Sequence, residues 1–320
     1  MADVKILIQS GSKVFYPVVT DGAKLTWERK GTPGKLTFNL VKDKVISYQE
    51  GDPVKVLVDD KPVFYGFIFK KNRNKDGTIS NTAYDQLRYL KNKDTFTDEG
   101  LSASDLIKRL AGDFNLNLGT VEDTGYIFET IVQENKTLFD MIQEALDDTL
   151  RITGNLFVLY DDVGKLTLKN VNSMKLPVLI DSETAENYDY ESGIDTQTFN
   201  KIKLAYNNED TGKREIYIAQ DGAKINQWGV LQYFEQIQTE TGAAAKAQNL
   251  LKLYNRKTRR LTIKNAFGNI AVRAGCGIAI TLNLGDIIAN TYMVVEKVTH
   301  TFKGNEYFMD ITVIGGDFIA

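Results

Sequence analysis

Hydrophobic and polar positions alternate over most of the first ninety residues. "VKILIQ" (Val4–Gln9) and "KLTFNLV" (Lys35–Val41) have period two. So does the stretch after Pro53, where Val54, Val56 and Val58 share one face and Lys55, Leu57 and Asp59 the other. Strand "VFYGFIFK" follows a short break, and Asp76-Gly77 turns the chain into "TISNTAYD". Short strands at regular turn signals predict a barrel or sandwich over residues 1–94.

The period then changes. Leu106, Ile107, Leu110, Ala111 and Phe114 fall at helical spacing, and Ser102 with Asp105 reads as a capping box. Leu138, Ile142, Ala145, Leu146 and Leu150 make a second stripe, which Gly154 can end in the left-handed region. With the hairpin "NLFVLYDDVGKLTLKN", these predict a compact α+β domain over 95–172. Residues 173–320 return to alternation. A hairpin turns around Asp210-Thr211-Gly212, a helix carries Ala247, Leu250, Leu251 and Tyr254, and strands follow at 259–264, 278–282, 292–301 and 307–314. The expected fold is α+β and mostly β, with two β-barrel domains flanking a small α+β domain.

One pattern occurs twice. Aligning Gly51 with Gly275 places Val54, Val56 and Val58 on Ile278, Ile280 and Leu282. Each set lies on one strand face, and each is followed by a second strand, "VFYGFIF" or "YMVVEKV". Two similar β units per chain let a trimer present six, a physical route for joining a sixfold object to a threefold one.

The stretches "YQEGDPVKV…VFYGFI", "AAKAQNLLKLY" leading into "RRLTI", and "AGCGIAI…YMVVEKVTHTFKGNEYFMDITV" resemble the baseplate hub proteins of contractile phage tails. The resemblance is particularly to the late control protein D-like hubs of Gram-positive prophages and to phage-tail-like bacteriocins. The matching positions are Gly51, Asp52, Val54, Val56, Gly66, Gly275, Ile278, Ile280 and His300. The resemblance covers nearly the whole chain. It implies two tail-tube-like barrels and a homotrimer at the tube end, assembled in the bacterial cytoplasm into a virion tail baseplate or tail-like particle. It also implies partners: the tail tube or a tube initiator protein, a trimeric central spike protein, and other baseplate proteins. Some relatives add a lysozyme or spike module, and no room for one is expected after Ile314.

Composition narrows the chemistry. A hydrophobic share of 42% and a charged share of 25% over 320 residues fit ordinary globular domains. The net charge of −3 gives no broad basic field, so specific nucleic-acid binding is not expected. The amino-terminal stretch reads as neither a signal peptide nor a membrane segment. A single cysteine, Cys276, rules out an internal disulfide and a cysteine zinc cluster.

The single histidine, His300, would have to serve any histidine-based catalysis or metal site. With no Ser or Cys motif beside it, it reads as a structural side chain near a strand end. The acid pairs Asp59-Asp60, Asp147-Asp148 and Asp161-Asp162 could suggest a glycosidase. The first and last sit at turns and read as solvated acids, and Glu183 and Glu186 lie in an acidic loop over 181–193. "NRKTRR" (Asn255–Arg260) could touch DNA or an acidic neighbour, or be the cationic end of a helix. No enzyme activity, cofactor or metal is expected. The rival reading is a peptidoglycan hydrolase or carbohydrate-binding module of the tail tip. A secretion-system spike protein is a third, which the absence of a long β-prism disfavours.

Overall fold

The computed structural model describes residues 2–315 except 21, 42–44, 185, 209–210, 238–239, 285–287 and 305; Asp210 of the expected turn lies outside the described residues. The first segment forms β1 (Val4–Ser10), β2 (Lys13–Phe15), β3 (Ala23–Glu28), β4 (Lys35–Val41), β5 (Pro53–Val58), β6 (Lys61–Arg73) and β7 (Thr78–Tyr84). The middle contributes β8 (Lys93–Ser102), α1 (Ala103–Asp113), β9 (Leu118–Val121), β10 (Ile127–Thr137), α2 (Leu138–Thr153), β11 (Phe157–Asp161) and β12 (Leu166–Asn170). Next come β13 (Lys175–Ile180), β14 (Asn187–Gly193), β15 (Lys201–Asn208), β16 (Lys213–Gln220), α3 (Gly222–Trp228), β17 (Gln232–Ile237) and α4 (Ala243–Tyr254). The chain ends with β18 (Thr258–Phe267), β19 (Gly277–Asn283), β20 (Ile288–Lys303) and β21 (Glu306–Ile314).

The middle helices form where their apolar spacing predicts them. Ser102 caps α1 through the Asp105 N–H, and the Asp105 carboxylate bonds back to the Ser102 N–H, completing the capping box. Gly154 ends α2 at φ 76°. Their buried stripes pack with Leu166 and Leu168 of β12 into a core of their own.

The two β segments are one hydrogen-bonded sheet. Thirteen strands run β14-β18-β21-β20-β3-β4-β7-β6-β5-β1-β2, with β19 and β13 continuing from β20. The link is β20 against β3, six antiparallel pairs from Lys297↔Glu28 to Phe302↔Ala23. The sixteen-residue β20 is long enough to pair β19 through Ile288–Val294 and then overhang onto β3. No pairing among the described residues closes either segment on itself, so the sheet is an open path and not two closed barrels. A single core spans both segments, holding Leu25, Val54 and Val56 together with Ile278, Ile280 and Val298.

Two further findings depart from the sequence reading. The acidic stretch over 181–193 is not all loop, because Asn187–Gly193 pairs with β18 in full register as β14. Residues near 198–256 have a small core of their own, in which α4 packs on β15 and β16 through Ala243, Ala247 and Leu250.

Candidate functional site

The repeated hairpin is a true structural repeat. Gly51 and Gly275 both adopt positive φ, 93° and 90°. The Gly51 N–H donates to the Ile68 carbonyl at 2.7 Å, and Gly275 N–H to the Val295 carbonyl at 2.8 Å. Asp52 N–H reaches the Gln49 carbonyl and Cys276 N–H the Arg273 carbonyl, both at 3.2 Å. Ile68 N–H returns to the Asp52 carbonyl, and Val295 N–H to that of Cys276. Both ladders then shift register one step later, between Ile68 and Lys70 in β6 and between Val295 and Lys297 in β20.

The repeat extends beyond the hairpin. The spatial order β3-β4-β7-β6-β5-β1 matches β14-β18-β21-β20-β19-β13, and corresponding strands occur in the same chain order. One pairing differs, since β1 meets β5 antiparallel whereas β13 meets β19 parallel. Val54, Val56, Ile278 and Ile280, singled out from sequence, are all fully buried in the shared core. Asp52 is buried and accepts from the Gln49 N–H at 2.8 Å, closing the turn that carries Gly51. At Gly66 a Cβ would stand 2.3 Å from the Tyr84 carbonyl oxygen, so β6 can cross β7 there only without a side chain. These groups make shape and offer no reactive atom.

His300 is 0% exposed. Its Nε2 lies 2.8 Å from the Val272 carbonyl oxygen, which can only accept, so Nε2 carries the proton. Nδ1 then accepts from the Tyr307 hydroxyl at 2.8 Å. Trp27 meets the ring edge-on at 5.4 Å. Burial lowers its pKa to about 4, so the ring is neutral at physiological pH. Both nitrogens are committed, and the residue pins β20 to β21 and to the turn before Gly275.

A buried charge cluster was not visible in sequence. Arg273 stacks 3.8 Å from the Tyr160 ring centre and 5.3 Å from that of Trp27, and donates to the Asp161 carbonyl oxygen at 2.7 Å. Asp161 is 6% exposed, which corrects its reading as a solvated turn acid. Its carboxylate accepts from Gln86 at 2.9 Å and from the Gly164 N–H at 2.7 Å. Asp85, 1% exposed, accepts from the N–H groups of Gly34 and Leu87. Burial raises both carboxyl pKa values, and the neighbouring Asp161 raises that of Asp85 further. The cluster fastens β11 of the middle domain to the sheet. The other acid pairs are also engaged or open to solvent: Asp147 bonds Lys30, Asp148 bonds Arg151, and Asp59-Asp60 form an exposed turn next to Lys5.

The basic run ends up beside a cleft of about 460 Å³, where Arg256, Arg259 and Arg260 join Arg29, Lys30 and Arg151. Among the described residues no group of three His, Cys, Asp or Glu side chains could hold a metal ion, and no helix is long and apolar enough to cross a membrane.

This fold is similar to that of prophage tail proteins. The chain superposes on the 43 kDa tail protein of prophage MuSo2 from Shewanella oneidensis with a TM-score of 0.72, at 12% identity, over 99% of this chain and 100% of that one. It also matches the E. coli c3393 protein, described as a type VI secretion component structurally similar to the T4 tail proteins gp27 and gp5. There the TM-score is 0.57, at 10% identity, over 97% of this chain and 75% of that one. The chain belongs to the YQBQ-like family, whose pattern matches residues 23–314. It is 30% identical to the uncharacterized protein YqbQ of Bacillus subtilis (strain 168) over 93% of this chain and 92% of that one. It is 29% identical to the phage-like element PBSX protein XkdQ of the same strain, over 93% of each.

Proposed function

We propose that this chain is the structural hub of a phage-tail or tail-like baseplate, a homotrimer joining a hexameric tail tube to a trimeric central spike. The observation that carries it is the duplicated six-strand unit, which gives one chain two nearly equivalent modules and a trimer six. Each module would serve as a tube-like barrel segment, its curvature completed by neighbouring subunits. The boundaries at 94/95 and 172/173 then separate the two tube-like modules from the middle domain. Kinship to XkdQ and the shared fold with prophage tail proteins support a place in the tail, with the spike, a tube or tube initiator protein and other baseplate proteins as partners.

The function is mechanical. His300 and the buried acids are used up in holding the fold, which supports a non-enzymatic role. The middle domain exposes Ile127 and Val132 on β10, apolar surface suited to baseplate contacts. Light scattering after size exclusion, across protein concentration, tests the reading. A mass of three chains is expected, whereas a fixed dimer or tetramer would exclude a threefold adaptor.

A further inference from the structure

The junction inside the chain also specifies the junction between chains. In the second copy, the carboxy-terminal half of β20 lies on β3 of the first copy. The repeat places Lys70 of β6 where Lys297 stands in β20, because both follow the same register shift. The ladders β3–β4 and β14–β18, carried through β4–β7 and β18–β21, place Glu191 where Thr26 stands in β3. Each chain therefore has both halves of the β20–β3 junction a second time, on β6 and β14.

Both counterparts are open edges. Among the described residues, β6 beyond Ile68 pairs with β7 on one side only, since β5 ends its pairing at Phe67. Lys70, Asn72 and Arg73 are exposed there. Among the described residues β14 ends the sheet path and pairs with β18 alone, and Tyr188, Asp189 and Glu191 are exposed. An open strand edge invites pairing with another strand. The charges match as well. Lys70 and Arg73 lie on one edge, and Asp189 and Glu191 on the other, while Lys71 is held over the Tyr48 ring. The existing junction has the same polarity, with Lys297 of β20 bound to Glu28 of β3 at 2.7 Å.

We infer that β6 of one subunit pairs antiparallel with β14 of a second copy of the same chain, in the register of β20 on β3. Lys70 then lies opposite Gly193, Lys71 opposite Ser192, Asn72 opposite Glu191 and Arg73 opposite Tyr190. Arg73 sits against an aromatic ring, and Lys70 lies diagonal to Glu191 on the same face. The contact is heterologous, joining unlike edges, so it propagates until the rotation closes. Closure at three chains alternates internal and intersubunit junctions around one ring, and the inference rests on the trimeric reading above.

Disulfide trapping tests the register. In the internal junction the Thr26 and Thr299 hydroxyls lie 3.1 Å apart, and their counterparts between chains are Glu191 and Asn72. The Asn72→Cys/Glu191→Cys chain, oxidised with glutathione disulfide at the concentration where light scattering shows assembly, should run as covalent dimer and trimer. Asn72→Cys/Ser192→Cys, slipped by one residue onto the opposite face, should stay uncrosslinked. Native Cys276 is buried and does not compete. Mixing a chain carrying only Asn72→Cys with one carrying only Glu191→Cys should give a covalent dimer that neither gives alone. This version keeps the test valid if the double variant folds poorly. A trimer without this cross-link, or with equal cross-linking in the slipped pair, overturns the inference and leaves the hub reading standing. A chain that stays monomeric at every concentration overturns both.

Discussion

At the scale of single residues, the buried groups make predictions that solvent-exposed ones would not. His300 binds fewer protons folded than unfolded between its ordinary value of 6.5 and about 4. Its stabilising contribution is therefore present above pH 6.5 and is lost as pH falls through about 4, a loss of about 3 kcal/mol. His300→Phe should flatten the acid limb of a urea-midpoint versus pH profile over that window. An unchanged slope would mean that the ring is not buried neutral. Asp85 and Asp161 act with the opposite sign, since raised carboxyl values weaken the fold as pH rises, so the comparison of variant with parent isolates the histidine. The two turn glycines also separate. Gly51 meets open space, so Gly51→Ala should cost only the backbone strain, about 1–2 kcal/mol. Gly275 carries the same strain and would also push a methyl to 2.7 Å from Val158, so Gly275→Ala should cost about 1–3 kcal/mol more. Thermal unfolding of the two variants measures the difference. The sequence marked these glycines and His300 by their rarity and spacing. It could not mark the Arg273 cluster, because Asp85, Tyr160, Asp161 and Arg273 come from strands and turns that only the tertiary fold brings together.

At the scale of elements, local rules held where side chains within one segment decide the outcome. Both middle helices follow their apolar stripes and caps. Ser104 and Asp105 both meet the buried Ser102 hydroxyl, so Ser102→Ala should cost about 1 kcal/mol or somewhat more. Circular dichroism melts would detect it, and no loss would show that tertiary packing alone positions α1. Elements held by neighbours were harder to read. β14 carries Asn, Asp, Glu and Ser with little apolar alternation, and it is a strand because β18 offers an edge across seven pairs. β8 and β10 are similarly polar, and their long ribbon rests on mutual pairing.

At the scale of the molecule, the β segments stand or fall together, because the β20–β3 ladder and one core join them. The module near 198–256 has a much smaller core and should open first. The two tryptophans report these regions separately. Trp27 is in the shared core and Trp228 ends α3 in the module. In single-tryptophan variants made by Trp→Phe, the Trp228 signal should change at lower urea than the Trp27 signal, and coincident transitions would mean that the module has no independent cooperativity. The sequence pattern revealed that the β-hairpin occurs twice and where α1, α2 and α4 lie, but it missed α3, so residues 173–320 hold two helices and not the one expected. It could not reveal that the copies merge into one sheet, because a strand's partner depends on which edge reaches it, and the overhang of β20 appears only in three dimensions.

The copies also differ in one loop. The connection from β3 to β4 is a short turn, whereas the corresponding connection from β14 to β18 holds the whole module near 198–256. Six identical chains in a circle could never carry an extra domain at every other position, because any insertion would appear six times. A gene that encodes two copies in tandem escapes that restriction. Each half can diverge alone, so the trimer proposed above would carry a sixfold rim and a threefold set of attachments written in one reading frame.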